Sequence, residues 1–213
     1  MNSAYLNKRF TDLIDRNSIK TVIECGSRDC LDAILLCGYY QPDVIYSFEC
    51  NPESIVVCKE YLNGFNRIKL IEKAVCNVNG VVDFYATDME RSFDKNIGAS
   101  SLLVHRGDNK HYVQKKIQVK STRLDTFMEE NSIPKVDLIC MDLQGAEYMA
   151  LEGLGERIKD VRFMILEVLF RTYYHNDRLY KEITAFIQSK GFKMIARDAK
   201  LGFGNALYYN NGF

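Results

Sequence analysis

The stretch MDLQGAE (141–147) places a carboxylate at Asp142, an amide at Gln144 and a second carboxylate at Glu147. It lies where the apolar run VDLIC gives way to YMALEGL, whose apolar spacing is that of a helix. Three more acids fall at similar junctions: Glu24 in KTVIEC, Glu49 in DVIYSFE and Glu167 in VRFMILEVLF. A carboxylate so placed can take a proton from a hydroxyl, hold the hydroxyls of a ribose, or share a hard divalent ion with neighbouring oxygens. His105, His111 and His175 add bases that titrate near neutrality.

These residues need a frame that brings them together. Residues 20–25, 43–49, 67–75, 136–142 and 161–170 read as buried strands. Between them lie LDAILLCGYY, NPESIVVCKEYLN with its Asn-Pro helix start, AEYMALEGL, and the amphipathic 177–191 that ends on Gly. Residues 80–87 and 116–122 alternate as half-buried strands, and FKMIARD and NALYYN form a hairpin through AKLGFG. The pattern predicts an α/β fold: a doubly wound, mostly parallel, seven-stranded Rossmann-like sheet, with a C-terminal antiparallel hairpin and a small inserted β-rich segment. Residues 1–18 read as an N-terminal amphipathic helix, and the long polar stretch 88–115, with GASS, as a lid or acceptor segment. No repeat or linker divides the chain, so 1–213 is expected to form one domain.

Composition narrows the function. The 28 Lys and Arg balance 28 Asp and Glu, which argues against a nucleic-acid binder living on phosphate contacts. The cationic HRGDNKHYVQKK (105–116) reads as a solvated loop. Seven cysteines without a C-x-x-C pair, most inside apolar runs, point to a reducing compartment and no zinc. No apolar run reaches the ~18 residues of a membrane span, and the N-terminal stretch lacks the features of a signal peptide. The expectation is a soluble cytoplasmic protein, and the hairpin edge at 192–210 permits a homodimer.

In a doubly wound sheet, ligands bind beyond the carboxyl ends of the strands. That selects Glu24, Gly26, Ser27 and Arg28 after the first strand, Glu49, Cys50 and Asn51 after the second, and Ala74 and Val75 after the third. Asp142 and Gln144 follow the fourth and Glu167 the fifth. Glu49 lies about a half-unit beyond Gly26, where an acid takes ribose hydroxyls. ECGSRDC has one Gly and no G-x-G-x-x-G, and Glu24 would repel a pyrophosphate, so a nicotinamide dinucleotide fits poorly. S-adenosylmethionine fits better. It offers a ribose for Glu49, an amino-acid end for the turn at 24–28, and a sulfonium that tolerates carboxylates.

VIECGSRD, SFECNP, EKAV, GASSL, STRLDTF, DLICMDLQGAEYMALEGL and ILEV follow in the order and approximate spacing of the FkbM-type S-adenosylmethionine-dependent methyltransferases, and the chain resembles that family over residues 20–195. MDLQGAE resembles the family's D-x-E/Q-G-x-E signature, FECNP its F-E-P-N-P segment and GASSL its glycine–serine segment. Cys30 stands where the family usually has a second Gly, Cys140 where it has Lys, and Gln144 where Glu is frequent. The resemblance implies the class I methyltransferase fold, S-adenosylmethionine bound by the residues above together with Ser101, and an Asp142 that borders the methyl-transfer site.

It also implies transfer to oxygen, with a sugar hydroxyl, on a deoxysugar of a glycan, as the acceptor. An alkyl hydroxyl needs a base or a metal. Asp142, Glu167 and His175 are the expected catalytic residues, His175 being well placed in RTYYHND. Asp142 and Glu167 are the expected ligands of Mg2+ or Mn2+ if a metal takes part. Another small-molecule, lipid or protein acceptor stays open, as does a non-catalytic S-adenosylmethionine-binding partner module.

Overall fold

A computed structural model describes residues 3–107, 111–198 and 201–213. Residues 1–2, 108–110 and 199–200, which belong to the expected N-terminal helix, the 88–115 segment and the hairpin turn, lie outside the described residues. The elements are α1 (Lys8–Thr11), β1 (Thr21–Cys25), α2 (Leu31–Tyr40), β2 (Val44–Phe48), α3 (Pro52–Tyr61), β3 (Ile68–Ile71), β4 (Ala74–Val75) and β5 (Gly80–Thr87). They continue with β6 (Gln114–Thr122), α4 (Leu124–Glu130), β7 (Val136–Met141), α5 (Glu147–Glu152), β8 (Val161–Leu169), α6 (Tyr180–Ser189), β9 (Phe192–Arg197) and β10 (Phe203–Asn210).

Seven strands form one sheet in the order β3-β2-β1-β7-β8-β10-β9, with β10 antiparallel to both its neighbours and the other pairings parallel. This is the doubly wound sheet that the alternation of strand and helix predicts. The chain runs outward from β1 to β2 and β3 and then returns to the other side of β1 as β7, so the order reverses between β1 and β7. Parallel strands covered on both faces should be apolar throughout. β1 and β7 are, and their alternate residues enter different cores. Val22 and Leu138, paired in register, join α2 and the N-terminal segment; Ile23 and Ile139 join α4, α5 and α6.

Two expectations change. The run 67–75 is two strands in two sheets: β3 lies at the edge of the main sheet, whereas β4 pairs with β6 in a three-stranded sheet of order β4-β6-β5. The backbone turns at Glu72, where Lys73 N donates to Ile71 O at 2.8 Å. Residues 3–18 are a 3-10 turn at Ala4–Leu6, the single turn of α1 and a 3-10 turn at Arg16–Ser18, instead of one helix. Ser3, Asn7 and Asp15 each accept a backbone N–H two residues on, so the polar side chains restart the chain three times. Among the described residues no helix is long and apolar enough to cross a membrane.

α4 is fastened to the sheet by Phe127, whose buried ring meets Tyr46 and Phe48 edge-on at centroid distances of 5.2 and 4.8 Å. Phe127→Ala is therefore expected to lower the unfolding free energy by about 3–5 kcal/mol, read from urea denaturation; a loss under about 1 kcal/mol would show that α4 is not anchored there.

Candidate active site

The carboxyl ends of β1, β2 and β7 surround the switch point. Gly26 N and Ser27 N both donate to Phe48 O, and Asp142 N donates to Cys25 O at 3.0 Å, so the loops after β1 and β7 run against each other. Gly26 has φ +87°, and a Cβ there would lie 2.0 Å from the Asp142 carbonyl oxygen. Only glycine fits.

After β7 the chain turns through Gln144 (φ 54°) and Gly145 (φ 93°), both left-handed. A Cβ at Gly145 would meet the Tyr174 ring at 2.9 Å. Glu147 closes this turn. It is 3% exposed, and its Oε1 accepts Leu143 N at 2.7 Å, so the acid of the MDLQGAE stretch holds the loop from inside. Burial pushes its carboxyl up to about 8.

Two clefts open on this junction. The first takes Glu49, Cys50, Asn51, Ala74, Val75 and Ser101 of the expected cofactor residues. The second takes Ser27 and Glu167. Gly26, Arg28, Asp142 and Gln144 line both, joined by Gly98 from the 88–115 segment. Eleven of the twelve expected cofactor-binding residues thus face one cleft or the other.

The exception is Glu24. Its side chain is buried and lines neither cleft, because it points toward β2, and Ser27 Oγ after β1 and Ser47 Oγ on β2 donate to its Oε2 at 2.7 and 2.6 Å. Burial pushes it up to about 7. Glu49 is held differently: Oε1 accepts Cys50 N and Asn51 N, and Oε2 accepts Arg28 N, each at 2.7 Å. Burial raises its pKa, and the three backbone donors oppose the shift.

At the junction, Gln144 Nε2 donates to Asp142 Oδ1 at 2.6 Å and to Glu167 Oε2 at 3.2 Å, while Tyr174 Oη donates to Gln144 Oε1 at 3.1 Å. The amide bridges two carboxylates with its two N–H groups. Asp142 is raised above the usual range, first by burial, and lies within hydrogen-bonding reach of Glu167. Ligand oxygens of Asp142, Glu147 and Glu167 all fall within 4.8 Å of one another.

Of the expected catalytic residues, Asp142 and Glu167 meet at the junction and His175 does not. His175 is exposed and lines neither cleft; its backbone N–H donates to Val104 O. His105 lines the second cleft instead, beside Tyr112, Tyr173 and Tyr174. Sequence reasoning also missed Tyr5, Asp32 and Phe203 in that cleft and Lys73, Phe48 and Phe84 in the first. Lys73 adjoins the expected Ala74 and Val75, and Asp32 opens α2. Tyr5 lies in the first 3-10 turn and Phe203 opens β10 opposite the end of β8, and neither carries a local signal.

The methyltransferase FkbM domain matches residues 28–194 of the chain. The chain is 23% identical over 212 residues to the 2-O-methyltransferase NoeI of Sinorhizobium fredii (strain NBRC 101917 / NGR234), covering 98% of this chain and 86% of that protein. It is similar in fold to the methyltransferase FkbM from Methylobacillus flagellatus KT, with a TM-score of 0.65 and 13% identity. That match covers 97% of this chain and 47% of the other, so the chain spans about half its length. It is also similar to M. capricolum TrmK in complex with S-adenosyl-homocysteine, with a TM-score of 0.54, 11% identity, and coverage of 92% and 65%.

The raised pKa of Glu24 has a definite sign. Its neutral carboxyl contributes stability that is fully present below the ordinary carboxylate range and is lost as pH rises through about 7. Urea unfolding from about pH 5 to about pH 8 should show stability falling with a slope of at most ~1.4 kcal/mol per pH unit from this group, and Glu24→Gln should remove that slope. An unchanged slope in the variant would mean that Glu24 is ionised in the folded chain.

Proposed function

The chain is a methyltransferase of the FkbM family, whose domain matches residues 28–194, and from that membership we propose that it transfers the methyl group of S-adenosylmethionine to a hydroxyl of a sugar, with 1–213 acting as one catalytic domain. The observation that carries this reading is the meeting of two clefts at Gly26, Arg28, Gly98, Asp142 and Gln144. A group-transfer enzyme needs donor and acceptor to converge on one point, and positioning then supplies much of the rate. The relative that is named a 2-O-methyltransferase supports oxygen as the acceptor atom, and the neighbour in complex with S-adenosyl-homocysteine supports the cofactor.

In this reading the first cleft holds the nucleoside. Glu49 keeps about one of its roughly four acceptor positions for a ribose hydroxyl, since backbone N–H groups take the other three. Ala74, Val75 and Phe84 offer an apolar slot for the base. The methionine end reaches the loop at Gly26–Arg28, and the sulfonium comes to rest beside carboxylates that favour a cation. The second cleft takes the acceptor. Among its charged residues Arg28 stands against Asp32, Asp142 and Glu167, which disfavours a phosphate-bearing ligand and suits a neutral polyol. Tyr5, Tyr112, Tyr173 and Tyr174 provide rings for a sugar face. Residues 96–107 of the 88–115 segment cover the junction between the clefts: Gly98 lines both, and Ser101 Oγ donates to Gln144 O at 2.9 Å.

A second reading adds a divalent cation. The oxygen donors of Asp142, Glu147 and Glu167 fit a hard ion such as Mg2+ or Mn2+, which would lower the pKa of an acceptor hydroxyl. The Gln144 amide competes with it, because its N–H groups already bind both Asp142 and Glu167. The hydrogen-bonded arrangement is the one the geometry favours.

Calorimetric titration tests both. S-adenosylmethionine and S-adenosylhomocysteine should bind the wild type, and Glu49→Ala should weaken them about 10- to 100-fold, the worth of a hydrogen bond to a charged group. Thermal melts of Glu49→Ala and Glu49→Gln separate lost binding from lost folding. Failure of the wild type to bind either ligand would sink the enzyme reading. Turnover unchanged by EDTA supports the hydrogen-bonded site; turnover restored only by Mg2+ or Mn2+ supports the cation.

A further inference from the structure

We propose that His105 is the base that takes the proton from the acceptor hydroxyl, an inference that rests on the O-methyl transfer proposed above. Its place in the second cleft, alongside Asp142, Gln144 and Glu167, is the first argument. The second is that it is held there by non-local contacts. The chain at 104–106 pairs with 173–175: His105 bridges Tyr174, Arg106 N donates to Tyr173 O and His175 N donates to Val104 O, both at 2.8 Å. His105 N donates to Gln114 Oε1 at 2.8 Å. The imidazole meets the Tyr174 ring edge-on at 5.3 Å and the Tyr112 ring at 5.9 Å. Tyr174 in turn donates to Gln144, which donates to Asp142. The imidazole and the carboxylates are therefore parts of one packed unit.

The third argument is what the ring lacks. His105 Nδ1 is buried with no hydrogen-bond partner among the described residues. The ring is half-buried at the wall of the second cleft, and the proton is assigned to Nε2. The other candidate bases are engaged or remote. Asp142 and Glu167 share the Gln144 amide and lie within hydrogen-bonding reach of each other, Glu147 accepts Leu143 N, and His175 is exposed. His111 faces Asp94 and Phe93 and lines neither cleft.

Burial holds the His105 imidazole below its ordinary value, which favours the neutral ring that a base requires. The titratable and charged groups about it are Tyr112 and Arg106 on its own segment, Tyr173 and Tyr174 after β8, and, in the same cleft, Arg28, Asp32, Asp142 and Glu167. In the transfer, the sulfur–methyl bond breaks as the oxygen–methyl bond forms. The O–H electron pair stays on oxygen, and the proton passes to the imidazole. The products are S-adenosylhomocysteine, the methyl ether and an imidazolium, so the positive charge leaves sulfur and reappears near Asp142 and Glu167.

The test compares wild type, His105→Ala and His105→Gln in transferring labelled methyl from S-adenosylmethionine to whichever of a panel of methyl hexosides and deoxyhexosides the wild type accepts. Expected are a fall in kcat of about 10²- to 10⁴-fold, partial rescue of His105→Ala by added imidazole, and loss of the acidic limb of the pH profile. S-adenosylhomocysteine affinity should stay within about twofold, as for a residue outside the cofactor cleft. His105→Ala turning over within about threefold of wild type, with its acidic limb intact, would overturn the inference. Nitrogen-15 NMR of wild type with S-adenosylhomocysteine gives an acceptor-independent check: a neutral His105 at pH 7 is expected, and an imidazolium there overturns the inference. A wild type that binds S-adenosylmethionine but methylates no member of the panel refutes the sugar reading, while the NMR arm still decides the state of His105.

Discussion

Everything at the site depends on how closely the main chain after β1 approaches the main chain after β7. These are the strands between which the order of the sheet reverses, and in an open α/β sheet such a reversal leaves a crevice because the two crossovers go to opposite faces. Here the crevice floor is backbone. Gly26 lies so near the Asp142 carbonyl that a single methyl group would force the loops apart. The ladder constrains the rest, since Cys25 pairs with Phe48 on one side and Met141 on the other, and the residues just beyond all three strands project into the same space. The loop glycine and the Asp142 carbonyl of MDLQGAE are thus two halves of one contact.

That contact gathers acids, and gathering acids away from water is costly. The chain meets the cost in three ways. Glu24 and Glu49 are surrounded by hydroxyl and backbone donors. Glu147 is pushed far enough up to hold a proton near neutrality. Asp142 and Glu167 receive the amide of Gln144, which supplies N–H donors without adding charge. A glutamate at 144 would bring one more negative charge into the cluster and no donors, so the amide is a substantive difference from the frequent family residue. Cys30 is a similar case. It sits at φ 59°, in the left-handed region, at the position where a second glycine is usual, and the fold holds it there with its thiol buried. The conformation outlasts the residue type that makes it easy.

How much of this was legible follows from how local each signal is. β-branched runs broken by polar turns announced the parallel strands, and acids just after those runs announced the crevice, because both facts lie within a few residues. The end of β3 was hidden: Glu72 and Lys73 carry no glycine or proline, and nothing within IEKAV reveals that Ala74 leaves one sheet for another. The N-terminal turns were hidden by an apolar spacing that three side-chain caps override. Glu24 ends a strand as Glu49 does, but whether its side chain turns to the crevice or to Ser47 is a matter of alternation and loop path. The two histidines differ for a related reason. His175 is next to Tyr174 in sequence, whereas His105 is next to it in space, through a bridge between segments that no periodicity links.

The two clefts are also built from different parts of the chain. Apart from Gly26, the first is lined within 28–194, the residues that match the family domain. The second borrows Tyr5 and Phe203 from outside that range. Tyr5 is 3% exposed, and burial beside Asp142, Glu24 and Asp32 drives its phenol strongly toward the neutral form, so it enters the cleft as an uncharged ring among acids. A sheet can hold the first cleft constant because strand ends are fixed by register. It cannot shape the second cleft in the same way, since that cleft is walled by a tyrosine in the 3-10 turn Ala4–Leu6, a loop paired across 104–106 and 173–175, and the start of the last strand. Substitutions in those walls can change which ligand fits without disturbing the contact at Gly26, and this separation lets one sheet serve ligands of different shape.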